Sequence, residues 1–371
     1  AQRPTASDAA NSKPAEFPVT TCELALPRNV SRANIGGTQL RLPKAEPRRI
    51  VLIGDTGCRM KKADDAWQAC LDEKQWPFRL IADAAAAMSP DLVLHVGDYH
   101  YRENACPPDV PGCQGSPWGY GWDTWQADLF EPAAKLLAAA PWVVARGNHE
   151  ECRRAGQGWF RFLDPRPFEE MRSCNEATND DIGNFTAPYA VPMADDLQLI
   201  MFDSAVSGHR PFDPAKPRDA HAFKQYREQF QTVDMLAGKP GVSSIFLNHH
   251  PVLGYSVFDG RVQGGSPALL SVMKTLHPQA YFPPGVQLAL HGHVHLFEAI
   301  NFSSNHPATI VSGMGGDELS TVLPNPFPLN IAPAEGVKLD SITHSNQFGF
   351  VVMDKQGSNW KIGSYDVYGT L

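Results

Sequence analysis

Asp98 and Tyr101 follow directly on an apolar run, in the stretch LVLHVGDYHY from Leu92 to Tyr101. A buried carboxylate without a partner is costly, so a core strand that delivers one to its tip needs water or a cation there. The same arrangement recurs along the chain. VLIGD ends in Asp55, VVARGNHE in Asn148, His149 and Glu150, IFLNHHP in His249 and His250, and LALHGHVH in His291, His293 and His295. Each piece alone has an ordinary explanation, since Gly-Asp after a strand is commonly a turn and a tyrosine commonly packs. Repeated at successive strand ends, they point to one pocket, because ligands bind beyond the carboxyl ends of strands in open α/β sheets. Carboxylate, amide, phenol and imidazole donors without thiolate suit iron, manganese or zinc. They outnumber what a single ion accepts. Two ions about 3.5–4 Å apart, bridged by a carboxylate, would use them all and clamp an in-line phosphoryl displacement. On this reading Asp98 bridges the pair and Tyr101 ligates the more acidic ion as phenolate. His293 and His295, two positions apart, are expected to share one strand face.

The elements that must carry these donors alternate in type. RRIVLIGD, DLVLHVGD and PWVVARGN read as strands, separated by helices over DAWQACLDEKQWPFRLIADAAAAM and DTWQADLFEPAAKLLAAA. Such alternation is the pattern of parallel strands with crossover helices. Further on, YAVPM and LQLIMFDS suggest an antiparallel pair. KQYREQFQTVDMLAG and SPALLSVMKTLH suggest helices between the strands SIFLNHH and VQLALHGH, and ATIVSGMGG and FGFVVMDKQGSNWKIGSYDVYG suggest meander strands. The fold class expected is α/β, a two-sheet mixed β-sandwich flanked by helices. Residues 1–47, polar and rich in proline, are expected as an extended arm on a single catalytic domain over 48–371.

The chain has 371 residues, 43% of them hydrophobic, and a net charge of -8. That is enough for a substantial core. The acidic balance and the lack of a basic stripe argue against a nucleic-acid partner, and no apolar segment has the length of a membrane span. The seven cysteines form no CxxC knuckle. Their spacing suggests close sequential pairs, Cys58 with Cys70, Cys106 with Cys113 and Cys152 with Cys174, leaving Cys22 over. Disulfides of that kind, together with the small-residue start AQRPTASDAANSKPAEFP, suggest a secreted or periplasmic protein from which a leader has been removed. Trp118, Tyr120, Trp122 and Trp125, in the long loop after the second donor group, are read either as an aromatic rim for substrate or as cover for the core.

The ordered blocks GDTG, GDYHY, GNHE, NHHP and GHVH resemble those of the calcineurin-like metallophosphoesterase superfamily, and within it the purple acid phosphatases, whose distinguishing tyrosine matches Tyr101. The resemblance implies a ferric ion held by Asp55, Asp98, Tyr101 and His295. It implies a second ion, divalent iron, zinc or manganese, held by Asp98, Asn148, His249 and His293. The activity implied is phosphomonoester hydrolysis by a metal-bound hydroxide, with a phosphodiesterase acting on cyclic nucleotides or phospholipid headgroups as the alternative and a non-catalytic binding protein as a distant third. The family's extra histidine after the fourth block has no counterpart in GYSVFDGRVQGG. His149 and then His250 are therefore the expected proton donors, with His291 facing away from the metals. Oligomeric state has no signature in the sequence.

Overall fold

The computed structural model describes residues 13–27 and 30–371; residues 1–12 and 28–29, all in the expected arm, lie outside the described residues. Two sheets carry the fold. Strands β1 (Arg49–Ile53), β2 (Leu92–His95) and β3 (Trp142–Val144) run parallel. The hairpin β11 (Gly349–Gln356) and β12 (Asn359–Asp366) adds antiparallel to β1, giving the order β12-β11-β1-β2-β3. The second sheet has β4 (Tyr189–Ala194), β5 (Leu197–Met201), β6 (Ser243–Leu247), β7 (Val286–His291), β8 (Phe297–Phe302), β9 (Ala308–Ser312) and β10 (Leu339–Ser345) in the order β10-β8-β9-β7-β6-β5-β4. Its centre, β5-β6-β7-β9, is parallel and its flanks are antiparallel.

Alternation along the strands explains why they read as unbroken apolar runs. Ile50, Leu52, Leu92, Leu94, Leu199, Leu247, Leu288 and Leu290 share one cluster between the sheets. Val51, Ile53 and Val93 point to the other face of the smaller sheet, where Phe78 and Ile81 of helix α1 (Phe78–Ala87) cover them. Ile200, Phe246 and Ala289 likewise meet helices α4 (Pro217–Ala237) and α5 (Pro267–Leu276), numbered after α2 (Ala134–Ala139) and α3 (Gly156–Phe162). Both faces of the central parallel strands are covered, as such strands require.

Both early helices are shorter than their sequences suggest. The segment before Phe78 forms turns and a two-strand ribbon, Met60–Lys61 with Ala66–Trp67, tied by the Cys58–Cys70 disulfide. Pro77 sits at the N-cap of α1, where its missing N–H costs no helical bond. Pro132 similarly divides the second, whose first half is one turn at Trp122–Trp125 followed by a π-helical Gln126–Phe130. The expected disulfides Cys106–Cys113 and Cys152–Cys174 form as well, and Cys22 is unpaired and exposed. Among the described residues no helix is long and apolar enough to cross a membrane. The described part of the arm lies on the body, with Lys13 3.1 Å from Asp123 and over the Trp118 ring, and Phe17 against Phe162.

Candidate metal centre

The donors lie just beyond the strand ends, not within them. Asp55 follows β1, Asp98 follows β2, Asn148 follows β3, His249 follows β6, and His293 and His295 follow β7. The shared strand face expected for His293 and His295 is therefore absent: β7 stops at His291, and His293 has φ 68°. Asp55 and Asp98 also sit in the left-handed region, at φ 57° and 56°. Aspartate tolerates it better than most side chains, at a cost that surrounding structure must offset. The loops are bonded to each other, with Asp55 N–H donating to Gly97 O and Thr56 N–H to Asp98 O, both at 3.0 Å. At Gly147 a Cβ would run into the Asp98 carboxylate, so glycine is the residue that lets the two strand ends meet.

The side chains converge. Tyr101 Oη lies 2.9 Å from Asp98 Oδ2, 3.1 Å from Asp55 Oδ1 and 3.1 Å from His295 Nε2. Asn148 Oδ1 lies 3.0 Å from both His249 Nε2 and His293 Nδ1, and His249 Nε2 is 3.0 Å from Asp98 Oδ2. Asp98 thus faces both groups of donors. The imidazoles are oriented from behind. His249 Nδ1–H donates to Val96 O at 2.9 Å and His295 Nδ1–H to Glu318 O at 2.6 Å, which turns each Nε2 inward as in histidines that ligate metals. Carboxylate, phenolate, amide and imidazole donors in this arrangement fit two hard or borderline cations, and Asp55, Asp98 and His249 have ligand atoms mutually within 4.8 Å.

Electrostatics fits the same chemistry. Burial, then the Asp98 and Asp55 carboxylates, push the Tyr101 phenol well above its ordinary range, so its ionisation would require strong positive charge nearby. The Arg59 guanidinium lies 4.9 Å from the ring centroid, but it is committed to Asp317. Burial works against the ionised Asp98, yet His249 and His149 outweigh it and hold the carboxyl well below its ordinary range.

His149 and His250 line the same cavity, of about 580 Å3. His149 Nδ1 is 2.9 Å from Glu103 Oε1, its ring centroid is 3.9 Å from that of Tyr101, and burial and Arg154 lower its pKa to about 4. His250 is held by Ser204 Oγ at 3.0 Å, with its ring centroid 4.2 Å from that of His293. His291 is absent from the cavity lining. Trp118, Tyr120, Trp122 and Trp125 are absent from it too; Tyr120 and Trp125 are buried in the core beside α3.

Three features escape a strand-tip reading. His209, beyond β5, is exposed, lines the cavity and stacks on His293 at 5.5 Å. Its signal was the FDS ending of β5, which matches the other strand ends. Asp317 is 3.3 Å from His295 Nδ1 and accepts from Arg59 Nε at 3.0 Å. Asp128 accepts the Cys58 and Tyr101 backbone N–H groups at 3.1 and 3.0 Å. Asp128 lies in the helical segment after Trp125, and Asp317 is set off from the end of β9 by the loop GMGG, so neither sits directly at a strand tip.

Comparison with solved structures finds similarity to a purple acid phosphatase from yellow lupin (Lupinus luteus) seeds, 17% identical with TM-score 0.48, over 89% of this chain and 53% of that one. It also finds PhoD, 11% identical with TM-score 0.47, over 90% and 72%. A dimetal phosphatase from Danio rerio is 12% identical with TM-score 0.45, over 86% and 96%. The chain spans about half the length of the lupin phosphatase. No curated protein matches the sequence. The family model for calcineurin-like phosphoesterases matches residues 48–297, a range that contains all the donor residues named above. The chain belongs to the calcineurin-like phosphoesterase family.

Proposed function

We propose that this family member is a phosphomonoester hydrolase of the purple acid phosphatase type. Its family carries a dinuclear metal centre and acts on phosphate esters; the finer reading rests on one observation, the Tyr101 phenol within 3.1 Å of Asp55, Asp98 and His295. Asp55, Asp98, Tyr101 and His295 would hold a ferric ion, and Asp98, Asn148, His249 and His293 a divalent iron, zinc or manganese. Two cations there supply Lewis-acid charge for in-line displacement at phosphorus. Around them, the chain's own groups orient the ester and manage its proton. His149, held by Glu103, would hydrogen-bond the leaving-group oxygen and, with its pKa lowered to about 4, would give it a proton at acidic pH; His250 is the second candidate. On this reading residues 48–371 are the catalytic body, and the described residues before them, 13–27 and 30–47, belong to an arm. The three disulfides favour an oxidising compartment, secreted or periplasmic.

The test is an absorption spectrum with metal analysis, alongside turnover of p-nitrophenyl phosphate and its bis ester. Iron, a visible tyrosinate band that Tyr101→Phe abolishes, and preference for the monoester are the expected results. A colourless native protein carrying two zinc or two manganese ions would remove the purple-phosphatase assignment, and preference for the bis ester would replace monoester hydrolysis by diester hydrolysis.

A further inference from the structure

The cavity over the donor cluster has one wall whose composition differs from the rest. After His250 the chain forms a β-hairpin, Tyr255–Phe258 paired with Arg261–Gly264 through a tight turn at Asp259 and Gly260, both at positive φ as such turns require. The pleat puts alternate residues on two faces. Val257 and Val262 pack with Tyr255 and Leu323 in a small core. Ser256, Phe258 and Gln263, on the opposite face, line the cavity together with parts of Tyr255 and Val257. Phe258 is 63% exposed. A phenyl ring left in water at a hairpin tip contributes little to folding, but it offers a flat apolar platform in the cavity that the donor residues also line.

The hairpin is anchored at its base. Glu298, fully buried, accepts the Tyr255 N–H at 3.0 Å, the Tyr255 hydroxyl donates to Ile331 O at 2.7 Å, and Pro333 fills the space beside Gly264. The cavity lining also includes Arg59 and Lys61, but their charge is already matched: Arg59 pairs with Asp317 and Asp64, and Lys61 is 2.7 Å from Asp64. These two side chains therefore provide little free positive charge for a second phosphate. A volume of about 580 Å3 also far exceeds what one phosphate fills.

We infer that Phe258 is a specificity-determining residue that stacks on the leaving group, so that the site selects phosphate monoesters of planar aromatic alcohols over those of small polar alcohols. This rests on the monoesterase reading above. Face-on or offset stacking on a single exposed ring accounts for about a tenfold preference.

The experiment compares phenyl phosphate with glycerol 3-phosphate as substrates, and phenylphosphonate with methylphosphonate as non-hydrolysable ligands measured by calorimetry, in the metal-loaded wild type, Phe258→Ala and Phe258→Trp. Phe258→Ala is expected to raise KM for phenyl phosphate about tenfold with kcat nearly unchanged, to leave glycerol 3-phosphate unaffected, and to weaken phenylphosphonate alone; Phe258→Trp restores both. Equal effects on the aromatic and polar members of each pair, or none, would overturn the inference. If the wild type hydrolyses neither ester yet binds phenylphosphonate about tenfold more tightly than methylphosphonate in a Phe258-dependent way, the platform stands and the monoesterase reading fails.

Discussion

Asp128 is the clearest place to break the centre without touching a donor. Its Oδ1 accepts the Cys58 N–H at 3.1 Å and Arg102 Nε at 2.5 Å, and its Oδ2 accepts the Tyr101 N–H at 3.0 Å. One carboxylate therefore fixes both the loop after Asp55 and the loop that carries Tyr101. Asp128→Asn keeps the shape and removes the charge. Arg102, with its side chain 2% exposed, loses its ion-pair partner, and breaking a buried pair from one side costs about 3–5 kcal/mol. The amide must also set an NH2 against at least one N–H it formerly accepted, adding roughly 1–2 kcal/mol. The sum, about 5 kcal/mol, should lower Tm of the metal-loaded protein by about 6 °C for a chain of this size. Arg102→Met in the Asp128→Asn background removes the stranded cation and should recover about 2 kcal/mol or more. A single variant within about 1 kcal/mol of wild type, or a double variant no more stable than the single, would refute the clamp.

Two further outcomes follow from buried carboxyl groups. Burial pushes Glu298 up from 4.5 to about 8, so the folded chain holds a proton that the unfolded chain has released between those values. Its stability is full below the unfolded pKa and falls as pH rises towards the folded one, by about 3 kcal/mol at pH 7. Denaturant titrations of Glu298→Gln across pH 5–8 should lack that slope, and curves parallel to wild type would reject the assignment. Asp317→Asn loosens Arg59 and one support of His295. Because His295 Nδ1 keeps the Glu318 carbonyl at 2.6 Å, the loss in metal affinity belongs at the lower end of the usual range, about tenfold, by chelator competition. Unchanged retention would assign Asp317 to Arg59 alone.

The strands and their tips were legible because burial on both faces leaves long apolar runs, and a polar donor at the end of such a run is conspicuous. LVLHVGDY and IFLNHHP stand out for that reason. What stayed hidden depends on contacts distant in sequence. The helix expected from Asp65 begins only at Phe78, because the Cys58–Cys70 bridge and the Trp76 indole, which donates to Thr56 O at 2.9 Å, hold the intervening chain in turns. β8 and β10 each mix apolar with polar residues, as suits strands towards the sheet edge, and carry no unbroken run. His293 and His295 converge although the reason their spacing suggested is wrong: a left-handed turn, not a strand pleat, aims them.

The division of donors between sheets explains where the centre's precision comes from. Asp55, Asp98 and Asn148 extend from the five-stranded sheet, and His249, His293 and His295 from the seven-stranded one. Their separation is therefore set by how the sheets pack, and no single loop determines it. Val96 stands at that junction. Its carbonyl receives His249 Nδ1–H from the opposite sheet at 2.9 Å, and its side chain occupies the space that a Cβ on Gly54 or Gly292 would need. Gly54 precedes Asp55 and Gly292 precedes His293, so one valine side chain is wedged against the backbones bearing donors from both halves. Interiors packed at this density transmit a displacement rather than absorb it. The left-handed backbone at Asp55, Asp98 and His293, about 1–3 kcal/mol each, persists because a sheet strand leads into each of them and the loops bond to one another, Asp55 and Thr56 N–H to the Gly97 and Asp98 carbonyls and His293 N–H to the Asp55 carboxylate.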